Sequence, residues 1–198
     1  IFATAVERAP DAEDGDIVEV QDSRGEFLCY ATWNSRAYIC GRAIAFGRGD
    51  PMQELRQTIE RAVALRKDLF RGEETTAYRL VNAEGDGVPG LIADKYGGVL
   101  VLQFTTLGMD RLRGWVADLL TELTAPAAIF EKSSGPARKK EDLAPREGWI
   151  RGNMEGPIEI RERGIAYSIA LEGSQKTGFF LDQREMRSLV RGFAKGRT

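Results

Sequence analysis

Apolar and polar positions change their rhythm along the chain, and the changes divide it into four stretches. Residues 1–47 are built of short alternating runs. Asp16-Ile17-Val18-Glu19-Val20 alternates as a half-buried strand does, Asp22-Ser23-Arg24-Gly25 reads as a turn, and residues 27–32 and 37–44 have strand composition. Residues 48–72 have helical spacing instead: Met52, Leu55, Ile59, Ala62, Val63, Leu65 and Leu69 share a face. Asp50 can cap this helix, Pro51 suits its first turn and Gln53 can complete a capping box. The spacing predicts a helix that connects two domains and ends near residues 70–72.

Residues 73–172 read as α+β. Strands are predicted at 78–81, 91–96, 99–104 and 128–131, with a helix over 109–123 striped by Met109, Leu112, Val116, Leu119, Leu120 and Leu123. A charged loop follows, and then a hairpin over 158–163 and 165–171 that turns at Gly164. Gly85-Asp86-Gly87-Val88-Pro89-Gly90 could pass for a phosphate loop, but a strand pattern follows it rather than a helix start, so a tight structural turn is expected. Residues 173–198 change character again. Phe179 and Phe180 are apolar anchors, and Asp182 with Glu185 three residues on signals a new helix.

Composition narrows the chemistry. The 198 residues carry a net charge of -2, so any nucleic-acid site must be a local basic patch. Two cysteines and no histidine exclude a disulfide framework and a zinc site. Cys29 and Cys40 are expected to be buried, reduced thiols, which fits a cytoplasmic setting. No apolar run is long enough to span a membrane, and no membrane partner is expected. Two places are basic: residues 132–140, ending in Arg138, Lys139 and Lys140, and the cluster Arg36, Tyr38, Arg42 and Arg48. Cations can pair with phosphates, and an adjacent aromatic can stack on a base. For the first place a solvated, flexible charged loop is the better reading of the residues alone.

Two blocks then carry a resemblance. Tyr78-Arg79-Leu80-Val81-Asn82, Glu84-Gly85-Asp86-Gly87-Val88-Pro89-Gly90-Leu91 and Asp94-Lys95-Tyr96-Gly97 form one, and Gln175-Lys176-Thr177-Gly178-Phe179-Phe180-Leu181-Asp182-Gln183-Arg184-Glu185 the other. Together they resemble the class I S-adenosylmethionine-dependent methyltransferases of large-subunit (23S) ribosomal RNA that act on cytosine C5 and carry a PUA domain before the catalytic domain. Ser174 and Met186 depart from that pattern, which has Gly and Asn there. The resemblance implies a PUA-like β-barrel over residues 1–47 lacking its opening strand, the helix over 48–72, a small central α+β domain over 73–172 with strands flanking one helix, and the start of a Rossmann-like methyltransferase domain over 173–198. It places the cofactor loop and the catalytic cysteine beyond Thr198, so no catalytic residue and no metal are expected here, and neither Cys29 nor Cys40 is a candidate nucleophile. Lys176, Thr177, Phe180, Asp182, Gln183 and Arg184 become one wall of the S-adenosylmethionine site, too little to bind the cofactor tightly alone. Arg36, Tyr38, Arg42, Arg138, Lys139 and Lys140 become contacts to ribosomal RNA. An open barrel edge also invites a homodimer. The alternative is a stand-alone RNA-binding or ribosome-assembly module without catalysis.

Overall fold

A computed structural model describes residues 1–71, 74–174, 176–194 and 196. Gly72, Gln175 and the last residues of the expected final helix lie outside them. The first sheet has three antiparallel strands in the order β1 (Ile17–Gln21), β2 (Phe27–Trp33), β3 (Gly41–Ala45). The Asp22 carboxylate holds the β1–β2 turn by accepting from the Arg24 and Glu26 amides at 2.8 and 2.9 Å. An isolated bridge, Phe2 to Ile39, adds a further edge. The expected barrel does not close. Three short strands cannot supply the tilt and stagger that closure needs, and the sheet stays open with one face laid against the rest of the chain.

Helix α1 (Pro51–Leu69) starts where expected, with the Asp50 side chain accepting from Met52 N at 2.8 Å. Gln53 does not complete the capping box. Glu54 reaches back instead, its carboxylate accepting from Phe46 N at 2.8 Å and Gly47 N at 2.9 Å. The helix also does more than connect, because Leu55, Ile59, Ala62 and Val63 are buried in the main core.

That core lies on one face of a five-stranded sheet of order β4 (Ala77–Asn82), β5 (Leu91–Tyr96), β6 (Val99–Phe104), β7 (Ala128–Ser133), β8 (Arg146–Arg151). All neighbours are antiparallel except β6 and β7. The parallel pair requires a crossover, which α2 (Leu107–Arg111) and α3 (Arg113–Thr124) provide. One helix was expected over 109–123, but Leu112 leaves helical geometry with ψ 3° and divides it. The second face is covered by the hairpin β9 (Ile158–Glu162) and β10 (Ile165–Ile169), whose Ile158, Ile160 and Ile169 meet Tyr96, Val99, Val101 and Phe130. Burial on both faces explains the uninterrupted apolar run Val99-Leu100-Val101-Leu102.

The stretch expected to be a flexible basic loop is ordered. β7 runs through Lys132 and Ser133, and Pro136–Lys140 forms a short helix, α4. β8 falls where a charged loop was expected; it is a polar edge strand fixed by Trp149, which meets the Phe130 ring edge-on at 5.0 Å. The Gly85–Gly90 segment is a structural turn leading into β5, with Gly90 at φ +87°. Last come a 3₁₀ turn over Leu181–Gln183 and α5 (Arg184–Ala194), which leaves Met186, Leu189, Val190 and Phe193 exposed. Among the described residues no helix is long and apolar enough to cross a membrane.

The two sheets meet through α2 and the β2–β3 loop. Gly108 of α2 packs directly on the Thr32 side chain of β2, leaving no room for a Cβ. Buried Glu141 accepts from Asn34 Nδ2 at 2.9 Å, from Arg42 Nη2 at 3.0 Å and from Leu107 N at 3.3 Å. Gly108→Ala should therefore cost about 1–3 kcal/mol. Gly114→Ala, where a Cβ meets nothing within 4 Å, should be neutral or stabilising by up to about 1 kcal/mol. Paired urea melts of the two variants would check this.

Candidate functional site

β5 is apolar except at Asp94 and Lys95, and Asp94 is fully buried. A buried carboxylate must be paired or hydrogen-bonded on all sides. Strand register supplies the first partner: Arg79 of β4 stands opposite, donating from Nε to Oδ1 at 2.9 Å and from Nη2 to Oδ2 at 3.2 Å. The second partner comes from 83 residues away. The Thr177 hydroxyl donates to Asp94 Oδ2 at 2.6 Å. Its proton is thereby committed, so the Tyr96 hydroxyl, 2.7 Å away, must donate to Thr177 Oγ1. Asp94 and Tyr96 are two residues apart and share one face of β5. Burial first, and the Asp94 charge second, push the Tyr96 phenol up to about 12, which keeps its proton in place.

A second anchor holds the same loop. Lys132 of β7 is buried, and its ammonium donates to Leu171 O at 2.6 Å, Ser174 O at 2.8 Å and Ser174 Oγ at 2.6 Å. Three donors meet three neutral acceptors, and burial lowers the Lys132 ammonium from its usual range. The loop is pinned at 171–174 and again at 177. Between these points Lys176, at φ +54°, turns outward. Its ammonium pairs with both Asp182 oxygens at 2.9 and 2.8 Å and lies 4.6 Å over the Phe180 ring. The Lys176 ammonium in turn holds the Asp182 carboxyl below the usual carboxylate range.

A third anchor ties down α5. Glu162 of β9 is buried and receives Arg187 as a fork at 2.8 and 2.7 Å, with Arg184 Nε 3.6 Å away. Burial pushes the Glu162 carboxyl up, but the bonds and charges of Arg187 and Arg184 outweigh it and leave it lowered. Arg184 also donates to Ala77 O at 3.0 Å and stacks 4.6 Å over Phe70, which itself stacks on Tyr78 at 4.3 Å and 17°.

Between these anchors lies an open groove of about 760 Å³, bordered by the end of α1 (Arg66, Phe70), by β4 (Tyr78, Arg79), and by Lys176, Thr177, Asp182 and Arg184. The structure thus brings four of the six expected cofactor residues to one groove. Two of these four are committed elsewhere. The Thr177 hydroxyl is spent on Asp94 and Tyr96, and Arg184 is a clamp on Glu162, Ala77 and Phe70. Lys176 and Asp182 face solvent; Gln183 is exposed and Phe180 half-buried, outside the groove lining. Asp182 and Glu185 do not cap α5: Asp182 pairs with Lys176, and Glu185 with Arg163 at 2.5 Å. The ammonium proton and the carboxylate lone pairs that the Lys176–Asp182 pair leaves over can meet one side of a polar ligand. They do not enclose it.

The expected RNA contacts are also brought together, from two distant stretches of the sequence, but most of their charge is already used. Arg36 pairs with Asp14 at 3.1 Å and with Asp142. Arg42 pairs with Glu141 and with Glu84 at 3.5 Å. Arg138 cannot touch phosphate: it is 2% exposed and donates to Phe104 O at 2.6 Å, Ala144 O at 2.9 Å and Asp110 Oδ1 at 2.7 Å. Lys139, Lys140 and Tyr38 remain exposed, with Tyr38 against Phe2 at 5.4 Å. Cys29 in β2 and Cys40 just before β3 are free and buried.

Residues 1–46 match the PUA-like domain family. Over 187 residues the chain is 36% identical to the ribosomal RNA large subunit methyltransferase I of Shewanella denitrificans, covering 93% of this chain and 47% of that protein. The protein of the same name from Alteromonas mediterranea is 33% identical over 198 residues, 98% of this chain and 50% of its own length. The chain therefore spans about half the length of the curated relatives it matches. Among solved structures, a putative SAM-dependent methyltransferase from Streptococcus mutans superposes with a TM-score of 0.75 at 24% identity, over 92% of this chain and 47% of that one. A putative methyltransferase complexed with SAH does so at 0.74 and 23%, over 88% and 44%. These two likenesses establish a shared fold.

Asp94→Asn should destabilise the chain by about 3 kcal/mol, because Arg79 loses its charged partner beside a buried site. The Tyr96 phenol should then titrate below about 12 while staying above its ordinary value, since burial, the larger cause, remains. Ultraviolet titration reads this directly. The Glu162 carboxyl titrates below its unfolded value, so its ion pairs contribute fully above about pH 4.3 and are lost as pH falls through the lowered folded value. The protection of α5 amides relative to their intrinsic exchange rate should fall over that acid window, and Glu162→Gln should lower it already at pH 7.

Proposed function

We propose that this chain is the RNA-recognition and positioning portion of an S-adenosylmethionine-dependent methyltransferase of large-subunit ribosomal RNA, and that the full-length enzyme methylates cytosine C5. The observation that carries the reading is the double pinning of residues 171–174 and of Thr177 on the central sheet by Lys132 and Asp94. It holds Lys176 and Asp182 outward on one rim of the groove. Likeness to two ribosomal RNA methyltransferases over nearly the whole chain supports the substrate class. The PUA-like match of residues 1–46 supports RNA as the partner.

In this reading these residues bind and orient. Lys176 can meet a phosphate or carboxylate, and ionised Asp182 can accept from a hydroxyl or ammonium group. Arg79, held flat by the Asp94 fork, lines the same groove. S-adenosylmethionine would supply the methyl group, and α5 would open the domain that holds it. Cys29 and Cys40 take no part, being buried in β2 and at the entry to β3.

A form extended to the length of the relatives should transfer methyl from labelled S-adenosylmethionine to 23S RNA and yield 5-methylcytidine on nucleoside digestion. Label found at another base position would overturn the C5 assignment, and no transfer would overturn the enzyme reading. The 198-residue chain should transfer nothing and show little heat with S-adenosylmethionine in calorimetry. Tight binding would refute the half-site.

A further inference from the structure

A second, smaller cleft of about 260 Å³ lies where α1 ends against the start of β4 and the β5–β6 turn. Its lining is Lys67, Phe70, Thr75, Thr76, Tyr78, Lys95 and Gly97. Phe70 and Tyr78 also line the larger groove, so the two hollows lie on either side of one stacked aromatic pair.

The chemistry of the cleft is unusual for this chain. Nearly every arginine around the larger groove is matched to a carboxylate: Arg66 to Asp86, Arg79 to Asp94, Arg184 to Glu162. Lys67 and Lys95 have no carboxylate within ion-pair distance among the described residues. Lys67 Nζ donates to Leu123 O at 2.9 Å and keeps two protons free. Lys95 Nζ has only the Tyr78 ring, 5.8 Å from its centroid. The two threonines complete the set. Thr75 Oγ1 accepts from Arg163 N at 3.2 Å and Thr76 Oγ1 from Arg161 N at 2.9 Å. Each hydroxyl accepts one backbone N–H, and neither donates its own proton to a partner among the described residues. Two ammonium groups with no carboxylate partner among the described residues, and two hydroxyls with protons to donate, make a site for an anion.

We infer that this cleft holds the phosphate backbone of the RNA strand whose target nucleotide enters the larger groove. The inference rests on the RNA reading above and adds a binding site to it. At about 260 Å³ the cleft falls below the size of pockets that enclose a whole small molecule. It suits one phosphate with part of its sugar. Continuity with the groove across Phe70 and Tyr78 fits a polymer that occupies both hollows. A lysine contact to phosphate gives affinity and register without reading sequence.

The test is RNA binding by the full 198-residue chain, followed by fluorescence anisotropy at several salt concentrations with a labelled single-stranded fragment of large-subunit RNA. The Lys67→Gln/Lys95→Gln double variant should bind more weakly whatever the RNA sequence, and its log K against log salt slope should be shallower by about 1.4, at about 0.7 per lost contact to a single strand. Arg61→Gln removes an exposed cation from the same helix outside the cleft and should leave the slope unchanged. Thermal melts of both variants should match the parent. If the parent binds and the double variant binds with the same slope, the cleft assignment falls and the RNA reading stands. If Arg61→Gln shallows the slope as much per charge as the lysine changes, the effect is one of general charge and the assignment also falls. A parent chain with no salt-dependent RNA affinity would overturn the RNA reading, and the cleft assignment with it.

Discussion

A carboxylate sealed inside a β-sheet must find its whole hydrogen-bonding shell in protein, and Asp94 organises the candidate site by that requirement. Arg79 comes to it through strand register. Thr177 comes to it because a loop 83 residues away crosses the sheet face and closes over it. Once Thr177 is fixed, Tyr96 has a partner for its own proton, Phe179 and Leu181 have a core to join, and Lys176 is left facing outward. Without that carboxylate the loop would hold by its apolar contacts and by Lys132 alone.

The molecule is rich in arginine, but little of that charge is free. Arg138 is consumed by two carbonyls and Asp110, Arg42 by Glu141, and Arg187 by Glu162. The guanidinium fork suits this work, since it can satisfy several acceptors in one plane. Lysines play the other part. Among the described residues the lysines other than buried Lys132 keep their ammonium groups near the surface as point charges. A near-neutral protein can in this way keep a few unneutralised cations at chosen places while its net charge stays small.

Features set by neighbours in sequence were legible from it. β1 follows from the alternation of Asp16 to Val20, and α1 from Asp50 and Pro51 ahead of a helical stripe. Features set by distant partners were not. Arg138, Lys139 and Lys140 look alike in the sequence, and only the Phe104 carbonyl and Asp110 separate the first from the other two. β8 carries too little apolar alternation to show, because it is an edge strand held mainly by Trp149. In the candidate site, the segment from Lys176 to Arg184 stood out by its resemblance to a known block. What that segment docks against was written elsewhere, as one acid in an apolar strand and one lysine in another.

Glu141 joins the first sheet to the second by gripping Asn34, Arg42 and the start of α2 at once. Gly108 brings the two surfaces into direct contact at the same junction. The exposed Tyr38 and Lys139 on one side and the groove on the other therefore belong to one stiff body, like the jaws of a caliper already locked. A ligand that reaches both must arrive with the right span, because the protein has little slack with which to measure it.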